Sequence, residues 1–206
     1  KQGDASAQHN LGIMYYKGQG VDVSDMKSLE WFEKAAVQGL AEAQYKLGAM
    51  YNQGQGVDVS YKKSIEWCEK AAEQGHAEAQ YNLGRMYELG QGVDVNHNKA
   101  IELLEKAAKQ GFAEAQYKLA SLYGEGFGVD RNDKKAIEWC AKAARQGFVQ
   151  AQHMLGELYE LGQGVDVNYK KAFEWYEKAA EQGFAEAQCN LGVMYDNGHG
   201  VDANSK

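Results

Sequence analysis

Apolar positions in this chain alternate between two helical rhythms. In His76–Gln91, HAEAQYNLGRMYELGQ, the residues Ala79, Leu83, Met86 and Tyr87 recur at steps of three and four, the spacing that gathers side chains on one face of an α-helix. Gly90 follows the last periodic residue, where helices commonly end. This predicts a first helix, A. After the linker GVDV, a second pattern runs through HNKAIELLEKAAKQ, with Ala100, Ile101, Leu104, Ala107 and Ala108 on a single face. Asn96 precedes it as an N-cap whose side-chain oxygen can accept an orphan backbone N–H, and Gly111 supplies the left-handed turn at its end. The two helices predict a helical hairpin.

The hairpin is repeated. YELGQGVDVN occurs at 87–96 and again, letter for letter, at 159–168. The glycine pair inside it also stands at Gly18/Gly20, Gly54/Gly56, Gly126/Gly128 and Gly198/Gly200, a period of 36 without insertion or deletion. A phosphate-cradling loop is needed once and follows a strand; a motif recurring at this interval is punctuation in a solenoid, whose units bury their apolar faces against their neighbours. The predicted architecture is all-α, with repeats at 4–39, 40–75, 76–111, 112–147, 148–183 and a partial sixth at 184–206. Helix B starts at Ser24, Ser60, Asn96, Asn132, Asn168 and Asn204, all N-cap residue types. Gly12, Gly48, Gly84, Gly156 and Gly192 fall inside helix A, where glycine costs about 0.5–1 kcal/mol relative to alanine; close helix contact is the expected compensation. Leu47, Tyr51, Ile65 and Trp67, with their equivalents, are expected to fill the core.

The pattern AxxQGxAxAQxxLGxxYxxGxGV, followed by KAxxWxxKAA, is carried by AEAQYNLGRMYELGQGV and KAIELLEKAAKQG and covers essentially the whole chain. It resembles the Sel1-like repeat family, whereas a tetratricopeptide array would repeat every 34 residues or so with a shorter linker. The resemblance implies a right-handed superhelix, with A helices on the concave side and B helices on the convex side. It also implies a noncatalytic scaffold or adaptor for protein complexes; family members serve in endoplasmic-reticulum degradation, bacterial signalling and bacterial contacts with host proteins. Many members carry proline after GV, where this chain has Asp or Val.

Comparing the repeats with one another separates the fixed helix A positions, those of Ala79, Gln80, Leu83 and Tyr87, from the variable ones. Tyr81, Asn82, Arg85, Glu88 and Leu89 share the variable face. Followed along the chain, this face carries Tyr45, Tyr81 and Tyr117 in a row, continued by His9 and His153 and broken by Cys189. Beside the row lie Lys46, Asn82, Lys118 and Met154, then Ala49, Arg85, Ser121 and Glu157. These residues form a candidate groove for an extended peptide or a partner's helix, read by aromatic anchors and polar contacts. The alternative is that the rings stack on one another as packing between repeats.

Charge and candidate chemistry narrow the classes. A net charge of -7 with no basic run is the wrong balance for neutralising phosphates, which argues against nucleic acid as partner. No apolar run reaches the roughly 18 residues of a membrane span, and no signal peptide is recognisable, so a soluble chain is expected. Lys1-Gln2-Gly3 reads like Lys109-Gln110-Gly111, and Asn204-Ser205-Lys206 stops where a helix B should begin. A piece of a longer array is therefore expected, and the alternative to a partner-binding scaffold is a structural array that joins end to end through Leu191, Met194 and Tyr195. Cys68 and Cys140 hold the same position two repeats apart, beyond disulfide reach; three free thiols are expected, compatible with a reducing compartment. Ser24–Lys27 and Ser60–Lys63 match the S-x-x-K motif of serine β-lactamases, and some cysteine-rich Sel1-like proteins have been described as β-lactamases. The serine is also the expected N-cap, however, and a chain without threonine holds no K-T-G. Asp94, Asn96, Asn98 and Glu105 mimic a calcium loop but place Lys99 where glycine is required. No nucleophile–base–orienter trio and no histidine spacing suited to a metal is visible, so no enzyme activity, cofactor or metal is expected.

Overall fold

The structure, a computed structural model, describes residues 3–200. Asn204, the sixth expected N-cap, and the two terminal stretches discussed above lie wholly or partly outside the described residues. Eleven α-helices of 13 residues are present among them, and the chain divides into two compact units, Lys1–Gln110 and Gly111–Lys206. The first unit holds α1 (Ala5–Lys17), α2 (Asp25–Val37), α3 (Ala41–Gln53), α4 (Tyr61–Glu73), α5 (Ala77–Leu89) and α6 (His97–Lys109). The second holds α7 (Ala113–Glu125), α8 (Asp133–Arg145), α9 (Val149–Leu161), α10 (Tyr169–Glu181) and α11 (Ala185–Asn197). Odd-numbered helices are the A helices and even-numbered ones the B helices. Within each unit, every A helix packs on the B helix that follows it, and every B helix on the next A helix.

The punctuation acts as its chemistry demands. In the first unit the side chains of Ser24, Ser60 and Asn96 accept the backbone N–H of Lys27, Lys63 and Lys99 at 3.4, 3.4 and 3.0 Å; in the second, Asn132 and Asn168 do the same at 3.0 and 2.9 Å. The two glycines of the linker have different jobs. Gly54 ends α3 at φ 71°, a left-handed conformation disfavoured for other residues. Gly56, also left-handed, lies so close to the backbone of Asp25 that a Cβ would sit 2.6 Å from its carbonyl carbon. The mid-helix glycines answer to the following B helix. A Cβ on Gly12 would lie 2.7 Å from the Phe32 ring, and one on Gly156 2.6 Å from the Tyr176 ring. Gly192 has nothing within 4 Å.

A spine of glutamine amides ties consecutive hairpins together. Gln44 Nε2 donates to the Ala36 carbonyl at 3.1 Å, and Gln44 Oε1 accepts from Gln74 Nε2 at 2.7 Å. Gln80 repeats this with Ala72 and Gln110 at 3.0 and 2.7 Å, and in the second unit Gln152 does so with Ala144 and Gln182 at 3.3 and 2.7 Å. These glutamines are buried, so each bond satisfies groups that would otherwise be stranded away from water.

Leu47, Tyr51 and Ile65 are buried, as the periodicity predicts. The tryptophans differ from expectation. Trp31, Trp67, Trp139 and Trp175 are only half-buried, each with a lysine ammonium within 3.9–4.2 Å of its ring centroid. A half-buried indole leaves part of its π surface for a cation, which is favourable at a partly wet surface.

Candidate functional site

The variable face of the A helices is formed by side chains one and two residues past the helix A glutamine of each repeat, which is buried at Gln44, Gln80, Gln116 and Gln152. In the first unit Tyr45 and Tyr81 are both half-buried. The Tyr45 ring stacks on His76, the residue that begins the next A helix, with centroids 4.8 Å apart. Its hydroxyl accepts from Asn82 Nδ2 at 3.2 Å, and the Tyr81 hydroxyl accepts from Arg85 Nη1 at 3.3 Å. One side of the ladder is thus packing, while the phenol oxygens are held among the polar groups of the face. Lys46 is exposed and lays its ammonium 5.4 Å from the Tyr45 ring centroid.

Tyr45 and Ala49 line two cavities of this face, one of about 260 Å³ and one of about 140 Å³. The larger reaches between Tyr81, Asn82 and Arg85 down to Ser64 and Cys68 of α4. Its depth has a simple origin, since the helix B position that carries Phe32 in the first hairpin carries the small Cys68 in the second. Burial pushes the Cys68 thiol up to about 11, so it is held as a neutral thiol. Two polar atoms of the lining, Asn52 Oδ1 and Arg85 Nε, are buried without a hydrogen-bond partner. Arg85 is charge-balanced by Glu88, whose carboxylate oxygen lies 3.4 Å from Nε. Glu88 itself is buried, so the structure sets it beneath the surface, supporting Arg85, where the sequence pattern had placed it on the open face.

In the second unit Tyr117, Lys118, Ser121, His153, Met154 and Glu157 are all half-buried. Tyr117 packs on Phe148 with centroids 5.4 Å apart, and His153 on Phe184 at 5.1 Å. Burial holds the Tyr117 phenol above its usual range. Ser121 Oγ donates to the Tyr117 carbonyl at 3.5 Å, and Glu157 lies 3.7 Å from His153 Nδ1. Asn190 and His153 share a hydrogen bond at 3.1 Å. At the far end of the row in the first unit, His9 is buried against Phe32, 5.3 Å between centroids. The residue that starts the next A helix therefore matters to this face. Its repeated aromatic character, at His76, Phe148 and Phe184, was the overlooked sequence signal.

The other motifs resolve as local structure. Lys27 and Lys63 direct their ammonium groups over the rings of Tyr15 and Tyr51 at 5.2 and 4.9 Å, while Ser24 and Ser60 cap helices. Asn96 caps α6, and the residues after it are helical. Cys68 and Cys140 are buried free thiols and Cys189 an exposed one; burial raises Cys140 to about 12. No helix among the described residues is long and apolar enough to cross a membrane.

A family model described as Sel1 repeat matches residues 5–40, 41–76, 77–112, 113–148, 149–184 and 185–206. Among solved structures, a protective antigen of uropathogenic Escherichia coli with an SLR fold is similar at 39% identity and a TM-score of 0.94, over 98% of this chain and 43% of that one. The chain thus spans less than half the length of that protein. A Sel1 repeat protein of Oxalobacter formigenes is similar at 34% identity and a TM-score of 0.88, over 94% of this chain and 79% of that one. An immunity protein of Pseudomonas aeruginosa is similar at 25% identity and a TM-score of 0.56, over 89% of this chain and 67% of that one. No match is found among curated proteins.

Proposed function

The chain belongs to the Sel1 repeat family, an all-α solenoid fold whose members generally mediate protein–protein interaction, and from that premise we propose that it is a noncatalytic scaffold binding a protein or peptide along the variable face of its A helices. The observation that carries this reading is the 260 Å³ cavity of the first unit, walled by Tyr45, Tyr81 and Asn82, with Asn52 Oδ1 left without a hydrogen-bond partner in its lining and Arg85 Nε held by the Glu88 carboxylate at 3.4 Å. Buried polar groups without partners are rare and costly. An incoming peptide that brings a donor to Asn52 relieves that cost and can offer an acceptor to the Arg85 guanidinium, while the flanking phenol rings supply apolar contact.

The test separates binding from folding. Peptides selected from a random display library on the intact chain are re-measured against Arg85→Ala, Asn82→Ala and Tyr81→Ala, with Lys62→Ala and Glu66→Ala on exposed positions of α4 as controls. Tyr81→Ala is expected to weaken the selected peptides about 5- to 30-fold, equivalent to about 1–2 kcal/mol, with the control variants unchanged. Arg85→Ala is the cleaner variant, since Tyr45 and its neighbours also pack between repeats. Selected peptides that are indifferent to all three A-face variants and lose affinity in the α4 variants would overturn the assignment.

A further inference from the structure

Four of the five described B helices carry a tryptophan followed three residues later by a lysine that covers its ring. Lys34 lies 4.1 Å from the Trp31 centroid, Lys70 4.0 Å from Trp67, Lys142 3.9 Å from Trp139 and Lys178 4.2 Å from Trp175. In α6 the corresponding residues are Leu103 and Lys106. Leu103 is buried, but an isobutyl group does not fill the place of a bicyclic ring. A cavity of about 170 Å³ opens there, with Ala72, Leu83 and Leu103 in its lining together with Glu69, Glu102 and Lys106. The location is the one that an indole fills one repeat earlier, where Trp67 packs against the cluster containing Ala36 and Leu47. Ala72 and Leu83 stand 36 positions after those two residues. With no ring beneath it, Lys106 turns to Glu102 at 2.6 Å, an exposed pair of the kind that exchanges readily with water and other partners.

We propose that this cavity on the B-helix side of the first unit is a binding site for an aromatic side chain, an indole above all, presented by a partner protein. The partner supplies the ring that the repeat lacks. Burial of the ring against Ala72, Leu83 and Leu103 provides the driving force. Lys106 is placed to swing from Glu102 over the π face, as its four counterparts do. The carboxylates of Glu69 and Glu102 at the rim can accept the indole N–H. This site is separate from the A-helix face and does not depend on the reading of that face.

The experiment titrates the isotopically labelled full chain with N-acetyltryptophanamide, followed by amide chemical shifts. Saturable shifts centred on Ala72, Leu83 and Leu103 are expected. Leu103→Trp is expected to abolish them while raising the melting temperature, because it fills the cavity in the manner of the other four repeats. N-acetylcyclohexylalaninamide, which lacks a π face, is expected to bind about two- to five-fold more weakly, and Lys106→Ala to remove that difference. Absence of saturable shifts, their survival in Leu103→Trp, or equal affinity for the cyclohexyl compound would each overturn the proposal. Should Leu103→Trp lose helicity, the smaller ring of Leu103→Phe takes its place; failure of both to fold would show that the space is not shaped for a ring.

Discussion

His76 carries two roles in the first unit: its ring stacks on Tyr45 and its Nδ1 accepts the backbone N–H of Ala79 at 3.3 Å, capping α5. Accepting that bond requires the neutral imidazole with its proton on Nε2. Burial holds His76 below the usual histidine range, opposed by the carboxylates of Glu78 and Glu42 and assisted by Lys46. Because the folded value is depressed, the stability tied to the neutral ring is complete above the unfolded value of about 6.5 and is lost as pH falls through the lower folded value. Thermal unfolding between pH 7.5 and 4.5 is expected to show an acid loss of about 1 kcal/mol, the usual worth of a cap, that is absent in His76→Asn, which caps without titrating. His9, also depressed by burial, is common to both proteins and cancels in the comparison; superimposable profiles would count against the cap. Mid-helix glycine makes a second residue-scale case. Gly156→Ala would drive a Cβ into the Tyr176 ring, an overpacking expected to cost about 1–3 kcal/mol, whereas alanine already stands at the equivalent Ala120, opposite the small Cys140.

Between helices, the glutamine spine does what neither helix does alone. Gln44 is held between the Ala36 carbonyl at the end of α2 and the Gln74 amide after α4, so one side chain joins three helix termini. Gln44→Ala removes both bonds, each worth about 0.5–1.5 kcal/mol, for an expected loss of about 1–3 kcal/mol, while the Ala36 carbonyl keeps the backbone N–H of Gly39 at 3.0 Å. Gln44→Glu keeps the shape but replaces the amide donor with an acceptor facing that carbonyl. It is expected to be at least as damaging at pH 7, and to recover in part at acid pH as the carboxyl gains a proton to donate. Denaturant midpoints measured at pH 7 and pH 4.5 check both signs. The motif AxxQGxAxAQ exposes these glutamines as invariant, but which groups they bridge became visible only when Gln44 and Gln74, thirty residues apart, were seen side by side.

At the scale of the whole molecule, contacts run between helices adjacent in sequence within each unit, and stability in such arrays is a sum of repeat and nearest-neighbour terms. Gln44→Ala is therefore expected to speed amide hydrogen exchange in α2, α3 and α4 while leaving α9, α10 and α11 at their original rates. Uniform acceleration along the chain would point instead to all-or-none unfolding. The same modularity explains how two faces can vary freely. Changes from Phe32 to Cys68, or from Trp67 to Leu103, open space in one repeat and leave the register of the others intact.

Helices, their ends, the period of 36 and the choice of glycine, serine and asparagine at each boundary were legible in the residues themselves, because caps, left-handed turns and periodic apolar faces are governed by groups within a few positions of one another. The N-caps at Ser60 and Asn96 and the terminator Gly54 followed from that local chemistry alone. What the spaces between hairpins contain was decided by the tertiary structure. That Tyr45 stacks on His76 while its hydroxyl meets Asn82, that Glu88 lies buried under Arg85, that the tryptophans stay half-exposed beneath lysines and that a cavity stands beside Leu103 all depend on how side chains of neighbouring helices fill the space between them. Their fit is set by volume and direction, and neither is encoded in the periodicity of any single helix.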